Sequence, residues 1–423
     1  MRNLNRLRDQ VGPRDIWPVL KADAYGHGAI EVARALAPER VAGFCVATAS
    51  EGRELRQAGI EQPILMMIGP ALDGTEDPCR TVLEYGLSCA VADEDAAQRL
   101  ASAARTMGLG PVSVHLKLDT GMGRLGVLPD QILALAAAVA ENPALSLDGL
   151  FSNLASADSI EADDPGTEFA AQQAAIFAQV CEALQEADLL PPHRTLANSA
   201  AIMHHPESWE PDTYTGVRPG LAIYGASLNP GRDPVQLLPA MRLCTRIVAL
   251  RELPKGVTVG YGMTATTYRP SRIGVLPLGY HDGLPRSLSN RGWVFVRGRR
   301  APIIGRISMD LTLVDVTDIS AARSGDEVVL FGGGEDAPPD QDARESGYAA
   351  TLAAALAAVD SIDPDPEAGR FEPGRGPIGV EEVAAWGETI PHEILSRVGA
   401  RVPRVVSVAG AEPAPQPASR RGR

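Results

Sequence analysis

A lysine closes an apolar run near the start of the chain. In "VLKADAYGHGA", residues 19–29, Val19 and Leu20 lead straight into Lys21, and a glycine-rich turn with Tyr25 and His27 follows. An amine in that place can form a Schiff base with a carbonyl compound or with pyridoxal phosphate. A free lysine, with a pKa of about 10.4, needs burial or a cationic neighbour to act as a base at neutral pH. The alternative is a structural lysine covering the end of a strand. Three more segments carry polar groups among glycines or small residues: "KLDTGMGRLG" (117–126) with Arg124, "LANSAA" (196–201) with Ser199, and "VRPGLAIYG" (217–225) with Arg218, Gly220 and Leu221. A glycine turn of the last kind suits a phosphate group, held by backbone N–H groups at a helix start.

These residues need elements to hold them. From residue 16 to 225, short apolar runs alternate with alanine-rich helical stretches. The runs lie at 16–22, 43–49, 63–69, 87–93, 112–119, 149–156, 194–199 and 221–225. Strands alternating with helices predict a parallel sheet, and eight such units predict a closed (β/α)8 barrel with its chemistry at the C-terminal strand ends. Lys21, Arg124, Asn153 and Ser199 fall at or just past such ends. Arg218 is expected in the turn leading into the eighth run. After Pro230 the pattern changes to β-branched runs separated by Gly and Pro, without helical periodicity. The expected class is α/β: a barrel over 1–230, a mostly-β domain over 235–405, and a disordered tail over 406–423. Within the second domain, 337–376 reads as a mobile insertion rich in Pro, Gly and Asp around a short alanine helix.

Composition narrows the function. Aromatics make up only 4% of the 423 residues, so the core is built from Ala, Leu, Val and Ile. The net charge of -14 argues against a nucleic-acid or anionic-membrane partner, because both need a basic face. No apolar run reaches the roughly 18 residues of a membrane span. The five cysteines, Cys45, Cys79, Cys89, Cys181 and Cys244, have no paired or metal-like spacing. They predict reduced, structural thiols in a cytoplasmic protein. His27, His193, His204 and His205 have no metal-like company, so no metal site is expected.

Taken together, the lysine stretch, "DTGMGRLG", "NSAA" and "VRPG", followed in the second domain by "VGYG", "GYHDG" and "GRISMD", resemble the alanine racemase family in content and order. The resemblance covers residues 1 to about 336 and about 376 to 405. It implies a pyridoxal 5'-phosphate enzyme that interconverts L-alanine and D-alanine for peptidoglycan precursors. Lys21 would carry the cofactor and act as the base for D-alanine. Tyr261, supplied by the second subunit of a homodimer, would act as the base for L-alanine. A racemase needs two such groups on opposite faces of the substrate. Arg218 would hydrogen-bond the pyridine nitrogen, which it cannot practically protonate. Tyr25, Ser199, Gly220 and Leu221 would surround the phosphate. Arg124 would contact the substrate carboxylate or the cofactor's phenolic oxygen. Met309, beside Asp310, would reach the carboxylate across the dimer interface. Tyr280, Asp158, Arg286 and Arg306 would line the access path. In some relatives the lysine matching Lys117 is carbamylated; an ordinary ion pair is the alternative here.

The sequence departs from the family in three places. Members usually begin with a further strand that packs against the second domain, whereas this sequence opens inside the first helix: either the start is placed too late or the strand is absent, and only its absence would leave an unpaired sheet edge. Asn153 stands where a histidine usually packs on the cofactor ring. His392 of "TIPHE" replaces a tyrosine that contacts phosphate, and a cationic histidine would bind phosphate well. These two changes leave open a racemase of another small amino acid such as serine. A non-catalytic pyridoxal-phosphate carrier would lack the second domain. A decarboxylase of the same fold would carry a cysteine there as its opposing acid, but no cysteine follows Cys244.

Overall fold

The computed structural model describes residues 1–70, 77–332 and 377–406. The expected insertion at 337–376, with its alanine helix, and the tail from 407 onward lie outside the described residues.

Eight parallel strands form the first sheet: β1 (Asp15–Ile16), β2 (Phe44–Val46), β3 (Ile64–Met66), β4 (Ser88–Val91), β5 (Val112–Lys117), β6 (Leu145–Phe151), β7 (His193–Thr195) and β8 (Gly216–Val217). Their order is β1-β8-β7-β6-β5-β4-β3-β2. A parallel bridge between Val19 and Cys45 joins the two ends and closes the barrel. Leu20 N–H donates to Cys45 O at 2.8 Å, and Cys45 N–H donates to Pro18 O at 2.9 Å. Ala42 N–H donates to Ile16 O at 3.0 Å on the same seam, and Pro18, which has no N–H to give, leaves a gap in that ladder. Trp17 fills the barrel interior, edge-on to His115 and His193. Glycines make the room: a Cβ on Gly43 would lie 2.4 Å from the Trp17 ring, and one on Gly149 would lie 2.0 Å from His115 Nδ1.

The expected eighth strand is corrected. Residues 221–225 do not form it; Leu221–Tyr224 is a 3-10 turn with all four residues buried, stopped by Gly225 in a left-handed conformation. A short buried apolar run fits a strand or a helical turn equally well. The strand is Gly216–Val217, so Arg218 sits at its C-terminal end rather than before it.

The second domain is antiparallel. β9 (Leu243–Arg246), β10 (Ala249–Leu253), β11 (Thr258–Val259), β12 (Ala265–Thr266), β13 (Ser271–Leu276), β14 (Trp293–Val296), β15 (Arg299–Pro302), β16 (Thr312–Asp315) and β17 (Glu327–Phe331) follow. They assemble as β10-β13-β16, β11-β12 and β15-β14-β17-β9. The run at 242–253 therefore splits between two sheets. Arg297 and Gly298, both at positive φ, make the two-residue hairpin between β14 and β15. Two short helices, Val380–Trp386 and Pro391–Ser396, were not expected from the sequence. The second of them packs on the lysine turn.

Candidate active site

The barrel's C-terminal end opens into a cavity of about 510 Å3, lined among others by Lys21, Tyr25, Arg124, Ser199, Arg218 and Gly220. Lys21 begins a turn whose next four residues, 22–25, have φ of 53 or 54° and ψ between 43 and 51°. Four L-residues in a left-handed turn carry strain of roughly 1–2 kcal/mol each, so the surroundings must hold them there. Glu51 accepts from Ala22 N–H at 2.7 Å with one oxygen and from Ala47 and Thr48 N–H with the other. Asp23 accepts from Ala29 N–H at 2.7 Å. Leu395 O lies against Gly26, where a Cβ would come within 2.2 Å.

The Lys21 amine is pushed below the usual lysine range by desolvation and by the Arg124 guanidinium, against the opposing pull of Glu51 and Cys45. Arg124 projects from a loop tied at its base, where Leu118 bridges Val127. Asp119 accepts from Gly121 and Gly123 N–H inside that loop. Lys117 is buried with its amine 4.3 Å from the centre of the Phe151 ring, and the Arg218 guanidinium lies 5.1 Å from the same ring. Burial, Arg218 and Arg124 push Lys117 down to about 7, with Asp119 acting the other way. Among the described residues Lys117 makes no ion pair.

Arg218 is buried, and desolvation lowers it to about 10. Its Nη1 donates to Thr195 O at 2.7 Å and to the Thr195 hydroxyl; its Nη2 donates to Ser152 O and to Leu196 O. The guanidinium is thus locked across the ends of β6 and β7. The Ser199 hydroxyl accepts from Gly220 and Ala222 N–H at 2.9 and 3.1 Å. Tyr25 presses on Gly220, where a Cβ would meet its hydroxyl at 2.4 Å. His392 reaches the cavity from Pro391–Ser396, and its buried Nδ1 has no partner among the described residues. Burial and the Lys21 amine push it below the usual histidine range, against the opposing pull of Asp158. Asn153 lines the cavity and donates to Leu154 O at 3.0 Å.

Tyr261 and Met309 are not brought to this cavity. They are 73% and 51% exposed, on turns of the second domain. Asp158 lines the cavity, Tyr280 and Arg286 line a separate depression beside Arg397, and Arg306 lies against Gly262 in the Tyr261–Met263 turn. The histidines have local partners: His27 stacks on Tyr224, His193 meets Trp17, His204 meets Asp233, and His205 meets Glu207.

Known proteins with this arrangement are found by sequence and by shape. The model of the alanine racemase N-terminal domain matches residues 1–228, and that of the C-terminal domain matches 240–357. The chain belongs to the alanine racemase family. It is 42% identical to an alanine racemase of Sorangium cellulosum over 392 residues, 92% of this chain and 90% of that one. It is 37% identical to one of Desulforamulus reducens, covering 95% of each. Among solved structures it superposes on the biosynthetic alanine racemase of Pseudomonas aeruginosa with a TM-score of 0.72 at 33% identity, covering 96% of each chain. For the enzyme of Streptomyces lavendulae the TM-score is 0.77 at 30% identity, covering 95% of this chain and 93% of that one. No helix among the described residues is long and apolar enough to cross a membrane.

Within this family fold, sequence reasoning missed several residues that position the site. Glu51 tethers the lysine turn; its signal was the Thr48-to-Glu51 spacing of a helix capping box, which the structure contains. Gln173 is fully buried and ties the loops after β5 and β6, donating to Thr120 Oγ1 and Asn153 O and accepting from Ala155 N–H. It lies mid-helix, and nothing local marks it.

Proposed function

We propose that this chain interconverts L-alanine and D-alanine with pyridoxal 5'-phosphate, as a cytoplasmic homodimer that supplies D-alanine for peptidoglycan precursors. The observation that carries this reading is the single cavity around Lys21, Arg124, Ser199 and Arg218, with Tyr261 exposed on another domain. The residues present fit the cofactor. Arg218 Nε makes no hydrogen bond among the described residues although both Nη groups are held, which leaves a donor for a pyridine nitrogen. Ser199, the Gly220 and Leu221 backbone, the Tyr25 hydroxyl and the free Nδ1 of His392 make a cradle for phosphate. When bound, pyridoxal phosphate delocalises the charge left on the α-carbon as its proton departs.

Lys21 would hold the cofactor and move the α-proton on one face; its lowered pKa favours the neutral amine that a base must be. The partner subunit's Tyr261 moves the proton on the other face. Arg124 and the partner subunit's Met309 orient the substrate carboxylate. Arg218 would donate to the ring nitrogen without protonating it, which would limit side reactions. Lys117, with a pKa near 7, presents a neutral amine that can add CO2 and release a proton, giving a carbamate beside Arg124.

The test is α-proton exchange in heavy water with L-alanine and L-serine separately, D-product being followed by chiral chromatography. Deuterated D-alanine formed far faster than D-serine is expected. D-serine formed faster would reassign the substrate, and no exchange on either would refute the racemase.

A further inference from the structure

The last described stretch of the chain carries two arginines three residues apart, in "RVPR" (401–404). They face different halves of the chemistry. Arg404 donates from Nε and Nη2 to Gly26 O at 3.1 and 3.0 Å, the carbonyl that ends the strained lysine turn. Its other donors hold Val398, Gly399 and Val402 carbonyls, so the guanidinium is fixed in place.

Arg401 points the other way. It forks onto Asp282 with Nε and Nη2 and reaches Asp310 Oδ1 at 2.8 Å. Asp282 closes the Tyr280–Asp282 turn by accepting from Gly279 N–H at 2.8 Å. That turn is zipped to the one carrying Met309: Tyr280 N–H donates to Ser308 O at 3.0 Å and His281 N–H to Met309 O at 3.1 Å. Arg401 is therefore the side chain that pins both turns together from outside, through Asp282 on one and Asp310 on the other.

We propose that Arg404 and Arg401 are paired positioning residues, Arg404 holding the lysine turn of its own cavity and Arg401 holding the Met309 turn that completes the cavity of the second subunit. This rests on the shared-cavity reading above. One short stretch then supports both of the cavities in which its subunit takes part, one in cis and one in trans.

Mixed dimers of the full-length holoenzyme test it. Each arginine is changed to Ala and to Lys, the latter keeping the charge and losing the fork should the Ala variant fail to fold. As homodimers the Ala variants are expected to lose about 10- to 100-fold in kcat/KM, the size of effect that misplacing a reacting group brings. Arg401→Ala should keep the cofactor's visible absorbance, and Arg404→Ala should weaken cofactor retention.

Subunits are then exchanged with Lys21→Ala chains. Arg401 variants should recover, because the one cavity with Lys21 receives its Met309 turn from the chain with Arg401 intact. Arg404 variants should not recover, because Lys21 remains on the damaged chain. Tyr261→Phe mixed with Lys21→Ala is the control. If it recovers and Arg401→Ala does not, the trans assignment is overturned. If the control itself fails, the shared cavity is wrong and Arg401's role falls with it. Wild-type kcat/KM in either Ala homodimer overturns that arginine's role outright.

Discussion

Glu382→Ala is the substitution from which most can be learned about how the C-terminal stretch is held. Arg300, on β15, and Glu382 form a two-pronged ion pair at 2.7 and 3.0 Å, with side chains 6% and 5% exposed. Glu382 also accepts from Gly379 N–H, and Arg300 reaches Pro377 O and lies over the Trp386 ring. Removing the carboxylate leaves the guanidinium buried without it, a loss of about 3–5 kcal/mol for a pair this dry. Replacing both residues with Met should recover most of that, since an apolar pair of similar volume is often neutral or better. Urea unfolding at fixed protein and cofactor concentration, followed by tryptophan fluorescence, measures both. A second effect is expected on the site, because the same stretch carries His392 and packs Pro391–Ser396 on the lysine turn: Glu382→Ala should also weaken cofactor retention. A loss below about 1 kcal/mol would mean the pair behaves like a solvent-exposed one. A double variant no more stable than the single would refute the desolvation argument.

In protein kept free of CO2, so that Lys117 carries no carbamate, this lysine sets a pH dependence. Its folded pKa near 7 lies below the unfolded value of about 10.4, so between those pH values the unfolded chain binds more protons and stability rises with pH, by up to about 1.4 kcal/mol per unit. Unfolding at pH 7, 8 and 9 should show that slope, and Lys117→Met should flatten it. Lys21→Ala should abolish racemisation in both directions together with the cofactor's visible absorbance, whereas Tyr261→Phe should keep the absorbance and stop racemisation; normal turnover in Tyr261→Phe would sink the two-base assignment. Gly149→Ala should destabilise the barrel by about 1–3 kcal/mol through overpacking on His115, read as a lower urea midpoint with unchanged slope.

The sequence alone carried the architecture and several of the residues that line the cavity. Apolar runs spaced by alanine-rich helices already imply a parallel barrel, because strands buried on both faces read as continuous hydrophobic stretches. Lys21, Arg124 and Ser199 were legible because short motifs hold them at strand ends, and glycines mark the loops. The eighth strand was not, since Gly216–Val217 is two residues long and the more apolar 221–225 outcompetes it by pattern. Nor was the grip of the C-terminal stretch: Arg401, Arg404, His392 and Glu382 act on residues as far away in sequence as Gly26, and pairings of that separation leave no local periodicity. The left-handed turn after Lys21 was equally hidden. Its residues have no intrinsic preference for positive φ, and only the converging partners Glu51, Asp23, Leu395 and Arg404 make that conformation the stable one. Tertiary structure also decided the charge states. Lys21, Lys117 and His392 have ordinary side chains, and their lowered pKa values come from burial and from cations that the fold brings beside them.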